Sequence, residues 1–100
     1  MTIKSPFMPQ RGANKVVSPG ATSASTSVTI GCKSVRLVNS GANICHVRIG
    51  TGAQTATTAD TPVLPNSALI LQKQQDDNTI AYISASGTTL HIQTGEGGYV

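Results

Sequence analysis

A hundred residues suit a single domain with a single core, and with Phe7, Tyr82 and Tyr99 as the only aromatic side chains that core has to be built from Val, Ile, Leu and Ala. Charged residues make up 11% of the chain, against about 25% in an ordinary soluble domain, so the surface is neutral and polar. The net charge of +3 is scattered from Lys4 to Lys73, which argues against the dense basic stripe that holds nucleic acid, and the longest apolar run, residues 68–71, is far short of the ~20 a membrane helix needs.

Residues 1–20 contain Pro6, Pro9, Pro19, Gly12 and Gly20 and little periodicity, and read as an extended amino-terminal arm in which residues 15–17 add a short edge piece. They contain no apolar stretch followed by a small-residue cleavage site, so no secretory signal is expected. Period-two alternation then begins, giving candidate strands over residues 21–30, 34–38, 44–49, 67–73, 79–84 and 88–93. Residues 61–64 carry Pro62, and proline cannot donate to a ladder, so this piece is an edge strand or a turn. Residues 39–43 and Ser86-Gly87 read as hairpin turns, and residues 74–78 as a polar tip. Residues 95–100 form a glycine-rich tail. Short strands with turns at this spacing describe an all-β sandwich over residues 21–94, jelly-roll or immunoglobulin-like, with a small barrel as the other option.

Alternation assigns the faces. Val35, Leu37, Cys45, Val47, Ile49, Leu69, Leu71, Ile80, Tyr82, Leu90 and Ile92 point inward, and Arg36, His46 and Arg48 outward. The run Ala68 to Leu71 is apolar on both faces, which predicts cover on both sides, from this domain or from a neighbouring subunit.

No motif carries catalysis or a cofactor. Asp60, Asp76, Asp77 and Glu96 are a thin supply for acid–base work, and Asp60 before Thr61-Pro62 reads as an Asx-type turn. Asp76 and Asp77 fall in the solvated tip. Cys32, Cys45, His46 and His91 lack metal-ligand spacing, and both cysteines continue apolar alternations, as buried thiols do. No serine sits in a nucleophile elbow, and Gly50-Thr51-Gly52 lacks the third glycine and the helix of a phosphate loop. Catalytic, cofactor and metal residues are therefore expected to be absent, and no small-molecule substrate is indicated.

Several stretches are similar to small bacteriophage virion proteins. They are Val35-Arg36-Leu37-Val38-Asn39-Ser40-Gly41 leading to Val47-Arg48-Ile49-Gly50, then Thr55-Ala56-Thr57-Thr58-Ala59-Asp60-Thr61-Pro62-Val63-Leu64-Pro65, then Ile80-Ala81-Tyr82-Ile83-Ser84-Ala85-Ser86-Gly87-Thr88-Thr89, and Thr94-Gly95-Glu96-Gly97. The resemblance implies a structural, non-enzymatic capsid decoration (cement) subunit, located in the virion after assembly in the host cytoplasm. Its partners would be the major capsid protein and sister copies in a homo-oligomer. A head-tail joining or tail component is the alternative, and a nucleic-acid-binding or host-directed module the second. Physical chemistry adds a mechanism: the arm residues Ile3, Phe7, Met8, Arg11, Val16 and Val17 are expected to bind the partner, burying apolar side chains worth about 1.5–3 kcal/mol each. On this view the arm is held only by neighbouring chains, and deleting residues 1–19 leaves a folded domain.

Overall fold

The computed structural model describes residues 7–9, 14–28, 32–74 and 76–96. Among them are nine strands and no helix: β1 (Met8–Pro9), β2 (Lys15–Val17), β3 (Ala24–Ser27), β4 (Ser34–Asn39), β5 (Cys45–Gly50), β6 (Thr61–Val63), β7 (Ser67–Gln72), β8 (Thr79–Ile83) and β9 (Leu90–Glu96). Strands form where β-branched and apolar residues alternate with polar ones, and they stop at residues that turn the chain. Between β6 and β7 the turn is made by Pro65 and by Asn66, whose φ of 54° is left-handed.

β1 and β2 lie end to end along one side of β9, with Met8 opposite Glu96, Pro9 opposite Gly95, and Lys15 to Val17 opposite Ile92 to Leu90. β4 pairs with the other side of β9, and β7 completes this sheet beyond β4. The second sheet has the order β3-β8-β5-β6, and all pairings in both sheets are antiparallel. From β2 onward the chain changes sheet at each connection except the one from β5 to β6. This is the connectivity of a jelly roll. Of the sandwich topologies that the strand pattern left open, the pairing selects this one, because β9 is inserted between the first strand and β4.

The amino-terminal segment therefore differs from the expected arm in one respect. Its described pieces are the edge of the chain's own sheet, held by main-chain pairing to β9. Removing residues 1–19 would strip β9 of that partner, so a folded remainder is no longer expected. The last strand also runs further than alternation predicts, through Gly95 and Glu96, because Ser34 lies opposite Gly95 and extends the ladder.

The core lies between the sheets. Val35, Leu37, Leu90 and Ile92 face Cys45, Val47, Val63, Ile80 and Tyr82, all of them buried, while Val17, Val28, Ile49, Leu69 and Leu71 pack at its margin. Each buried aliphatic side chain contributes about 1.5–3 kcal/mol. One end of the core is closed by Asn39, fully buried, which donates from Nδ2 to the carbonyls of Asn43 (2.8 Å) and Val63 (3.0 Å). Its Oδ1 accepts from the Gly41 N–H (3.1 Å) and the Thr88 hydroxyl (2.6 Å). A Cβ at Gly41 would collide with Thr88 Oγ1, so the close approach of the two loops requires glycine there.

Candidate interaction surface

The two sheets treat their outer faces differently. In the β3-β8-β5-β6 sheet, Ala81 stands on the outward side between Ser25 and Arg48, yet it is fully buried. An outward residue is buried only if something lies over it, and the connection formed by residues 51–60 is tied to residues on either side of Ala81. That connection is anchored at both sides of the sheet. The Ala56 N–H donates to Ser23 Oγ (2.8 Å), and Asp60 Oδ1 takes a hydrogen bond from Arg48 Nε and an ion pair from its Nη2, both at 3.1 Å.

Asp60 also accepts the Thr57 N–H on Oδ2 (2.7 Å), while the Asp60 N–H donates to the Thr57 carbonyl (3.0 Å). It is indeed a turn-forming residue, but it closes the turn that precedes it and does not face Pro62. The hydrogen bond from the Thr57 amide, and then the Arg48 guanidinium, hold its carboxyl below the usual carboxylate range.

No such cover lies over the other sheet among the described residues. Register places Val16, His91, Val38 and Ala68 in one row across four strands, and Gln93, Arg36 and Ile70 in the next row. Val16 is 63% exposed, Ala68 is exposed, and Val38 and Ile70 are half-buried. The polar members are tied down: Arg36 Nη1 donates to Gln93 Oε1 (3.0 Å), and His91 Nε2 shares a hydrogen bond with Ser40 Oγ (3.1 Å). The described residues thus supply only half of the expected two-sided cover of Ala68 to Leu71. Leu69 and Leu71 pack inward against the core, while exposed Ala68 and half-buried Ile70 look outward with no described residue laid over them.

Of the arm residues expected to bind a partner, Val16 and Val17 lie on opposite faces. Val16 lies on the open face, whereas Val17, one residue on, turns inward and packs against the core. Phe7 is half-buried, and Met8 pairs through its main chain with Glu96. Ile3 and Arg11 lie outside the described residues. Val38, Ala68 and Ile70 were missed as surface residues, although the unbroken run Ala68 to Leu71 already signalled an apolar outer face.

Other candidate chemistry is accounted for structurally. Cys45 is fully buried beside Asn39, and desolvation pushes its thiol up to about 11. Cys32 is half-buried, and neither cysteine is in a disulfide. Lys73, one of the residues that carry the net charge, is 7% exposed and donates to the carbonyls of Asp77 (2.9 Å) and Gln74 (3.2 Å). Asp77 is likewise engaged, accepting the Gln74 N–H on Oδ2 (2.9 Å) and the Thr51 hydroxyl on Oδ1 (3.0 Å). Among the described residues no three His, Cys, Asp or Glu side chains gather as metal ligands, and no helix is long and apolar enough to cross a membrane. A cleft of about 310 Å³ opens between the sheets where β6 stops short, lined by Val47, Ile49 and Leu71 with Arg48, Asp60, Thr61 and Gln72 at its polar side.

No family model matches the chain, and no curated protein does. Among solved structures it is similar to the crystal structure of PirA, with a TM-score of 0.59 and 14% identity over 85% of this chain and 95% of that one. At that identity the likeness is one of fold.

Proposed function

We propose that this chain is a structural, non-enzymatic subunit of a bacteriophage virion, of the capsid decoration type, which binds the major capsid protein with the open face of its β1/β2-β9-β4-β7 sheet. The observation that carries the reading is the asymmetry of the two outer faces: residues 51–60 are tied across one, where Ala81 is buried, and on the other no described residue is laid over Val16, Val38, Ala68 and Ile70. Apolar side chains interspersed with His91, Gln93 and the single cation of Arg36 suit a protein contact. Jelly rolls build viral capsid domains, though the same fold also builds lectins, so the fold is consistent with the reading and does not carry it. Repeated copies on a symmetric shell need only a modest interface each.

The earlier picture of a free arm clamping a neighbour is narrowed accordingly. The main chain of Lys15 to Val17 is committed to β9, so what this stretch offers a partner is the side chain of Val16. The test is the copy number of the polypeptide in purified particles, for the native chain and for Val16→Asp. Many copies, falling severalfold in the variant while its melting temperature is retained, are expected. A few copies per particle would instead indicate a head-tail or tail component, and recovery of the protein only from the particle-free fraction would overturn a virion role.

A further inference from the structure

We infer that two copies of this chain join through β7, edge to edge and antiparallel across a two-fold axis that passes through Ile70. The inference stands on the strand itself and is independent of the proposed function. A jelly roll leaves four strand edges, and an open edge is a template for another strand unless something blunts it. Three are blunted here. The edge beside β9 is split into the two-residue β1, which contains Pro9, and the three-residue β2, which begins with Lys15, and β6 is three residues long and contains Pro62. β3 is a short polar strand across which Lys15 lies, its ammonium donating to Ser27 Oγ (3.0 Å) and Thr26 Oγ1 (3.3 Å).

β7 has none of these protections. Ser67–Gln72 is six residues long, uncharged and free of proline, and it pairs with β4 along one side only. Among the described residues, no other main-chain group is hydrogen-bonded to its outer side.

The occupant follows from symmetry and side chains. In antiparallel pairing, residues directly opposite share a face, so a two-fold register must centre on a residue and not on a peptide bond. The segment Ala68-Leu69-Ile70-Leu71-Gln72 is nearly symmetric about Ile70. Centring there sets Leu69 of each copy against Leu71 of the other on the inner face, and Ile70 against its own counterpart on the outer face. Leu69 and Leu71 are half-buried at the core margin, and Leu71 borders the cleft of about 310 Å³ between the sheets. The incoming leucines would lie over that cleft in both copies. The joined sheets would be eight strands wide, with the open apolar faces continuous across the seam.

A charge on the axis meets its own like, and this gives the test. Sedimentation over a concentration series should show a dimer for the native chain, a monomer with a native-like melt for Ile70→Lys and for Ile70→Glu, and recovery of dimer when the two variants are mixed, since opposed like charges destabilise and opposite charges do not. A native chain that is monomeric at every concentration overturns the inference, as does a dimer indifferent to Ile70→Lys or a mixture that stays monomeric. If either charged variant fails to fold, mild oxidation of Ile70→Cys in a Cys32→Ser background decides: covalent dimer for Ile70→Cys and none for Val16→Cys supports the axis, and no enrichment at position 70 sinks it.

Discussion

At the scale of single residues, two buried polar groups set opposite expectations. Asn39 satisfies both ends of its amide across three loops, so truncating it strands the Val63 carbonyl and the Gly41 N–H in a dry place. Asn39→Ala is expected to cost about 2–4 kcal/mol in urea unfolding. Thr94 is the reverse case: its hydroxyl is fully buried and has no hydrogen-bond partner among the described residues. Thr94→Val keeps the shape and removes the orphan, and should raise stability by about 1 kcal/mol in the same assay. Cys45 adds a pH signature. Its thiol ionises at 9.0 in the unfolded chain and at about 11 in the folded one, so the folded state holds the proton longer. The contribution of this thiol is constant below pH 9 and declines between 9 and 11, by about 2 kcal/mol, and Cys45→Ala should abolish that slope.

At the scale of elements, the cover formed by residues 51–60 and the first strand both invite measurement. Asp60 holds that cover through Thr57 and Arg48, and its carboxyl is depressed, so the anchoring is complete above the ordinary carboxylate pKa of 3.8 and is lost as pH falls below it. The protection factors of the Ala81 and Asp60 amides, which take out the intrinsic pH dependence of exchange, should therefore fall in acid, and Asp60→Asn should lower them likewise at neutral pH. The first strand carries a larger share. Without β1 and β2 the inward Leu90 and Ile92 lose their edge neighbours, so deletion of residues 1–19 should abolish cooperative melting, where an accessory arm would leave it unchanged.

For the whole molecule, size and connectivity give the constraints. A radius of gyration of 12.8 Å matches the roughly 13 Å of a compact 100-residue domain. Because β2 pairs with β9 and β4 with β9, the sheet closes only after most of the chain has been brought together. Folding in the millisecond-to-second range, typical of non-local all-β chains, is the expectation for stopped-flow refolding.

Local chemistry carried much of this structure in the sequence alone. Alternation is a property of neighbours, so it located β4, β5 and β7 to β9, put Val35, Leu37, Val47, Ile80 and Ile92 inside, and put Arg48 outside. It also flagged Ala68 to Leu71 as apolar on two faces. What alternation does not contain is which strand lies beside which. The insertion of β9 between the first strand and β4 was decided only by tertiary pairing, and that insertion turned an expected arm into a sheet edge. Pairing likewise left β7 with one open side and brought Val16, Val38 and Ala68 from three distant segments into one row. Residues 51–60 are tied to the opposite face through Arg48 and Ser23, partners that no local pattern links. Periodicity is written residue by residue, whereas adjacency is a balance of burial and ladder hydrogen bonds over the entire chain.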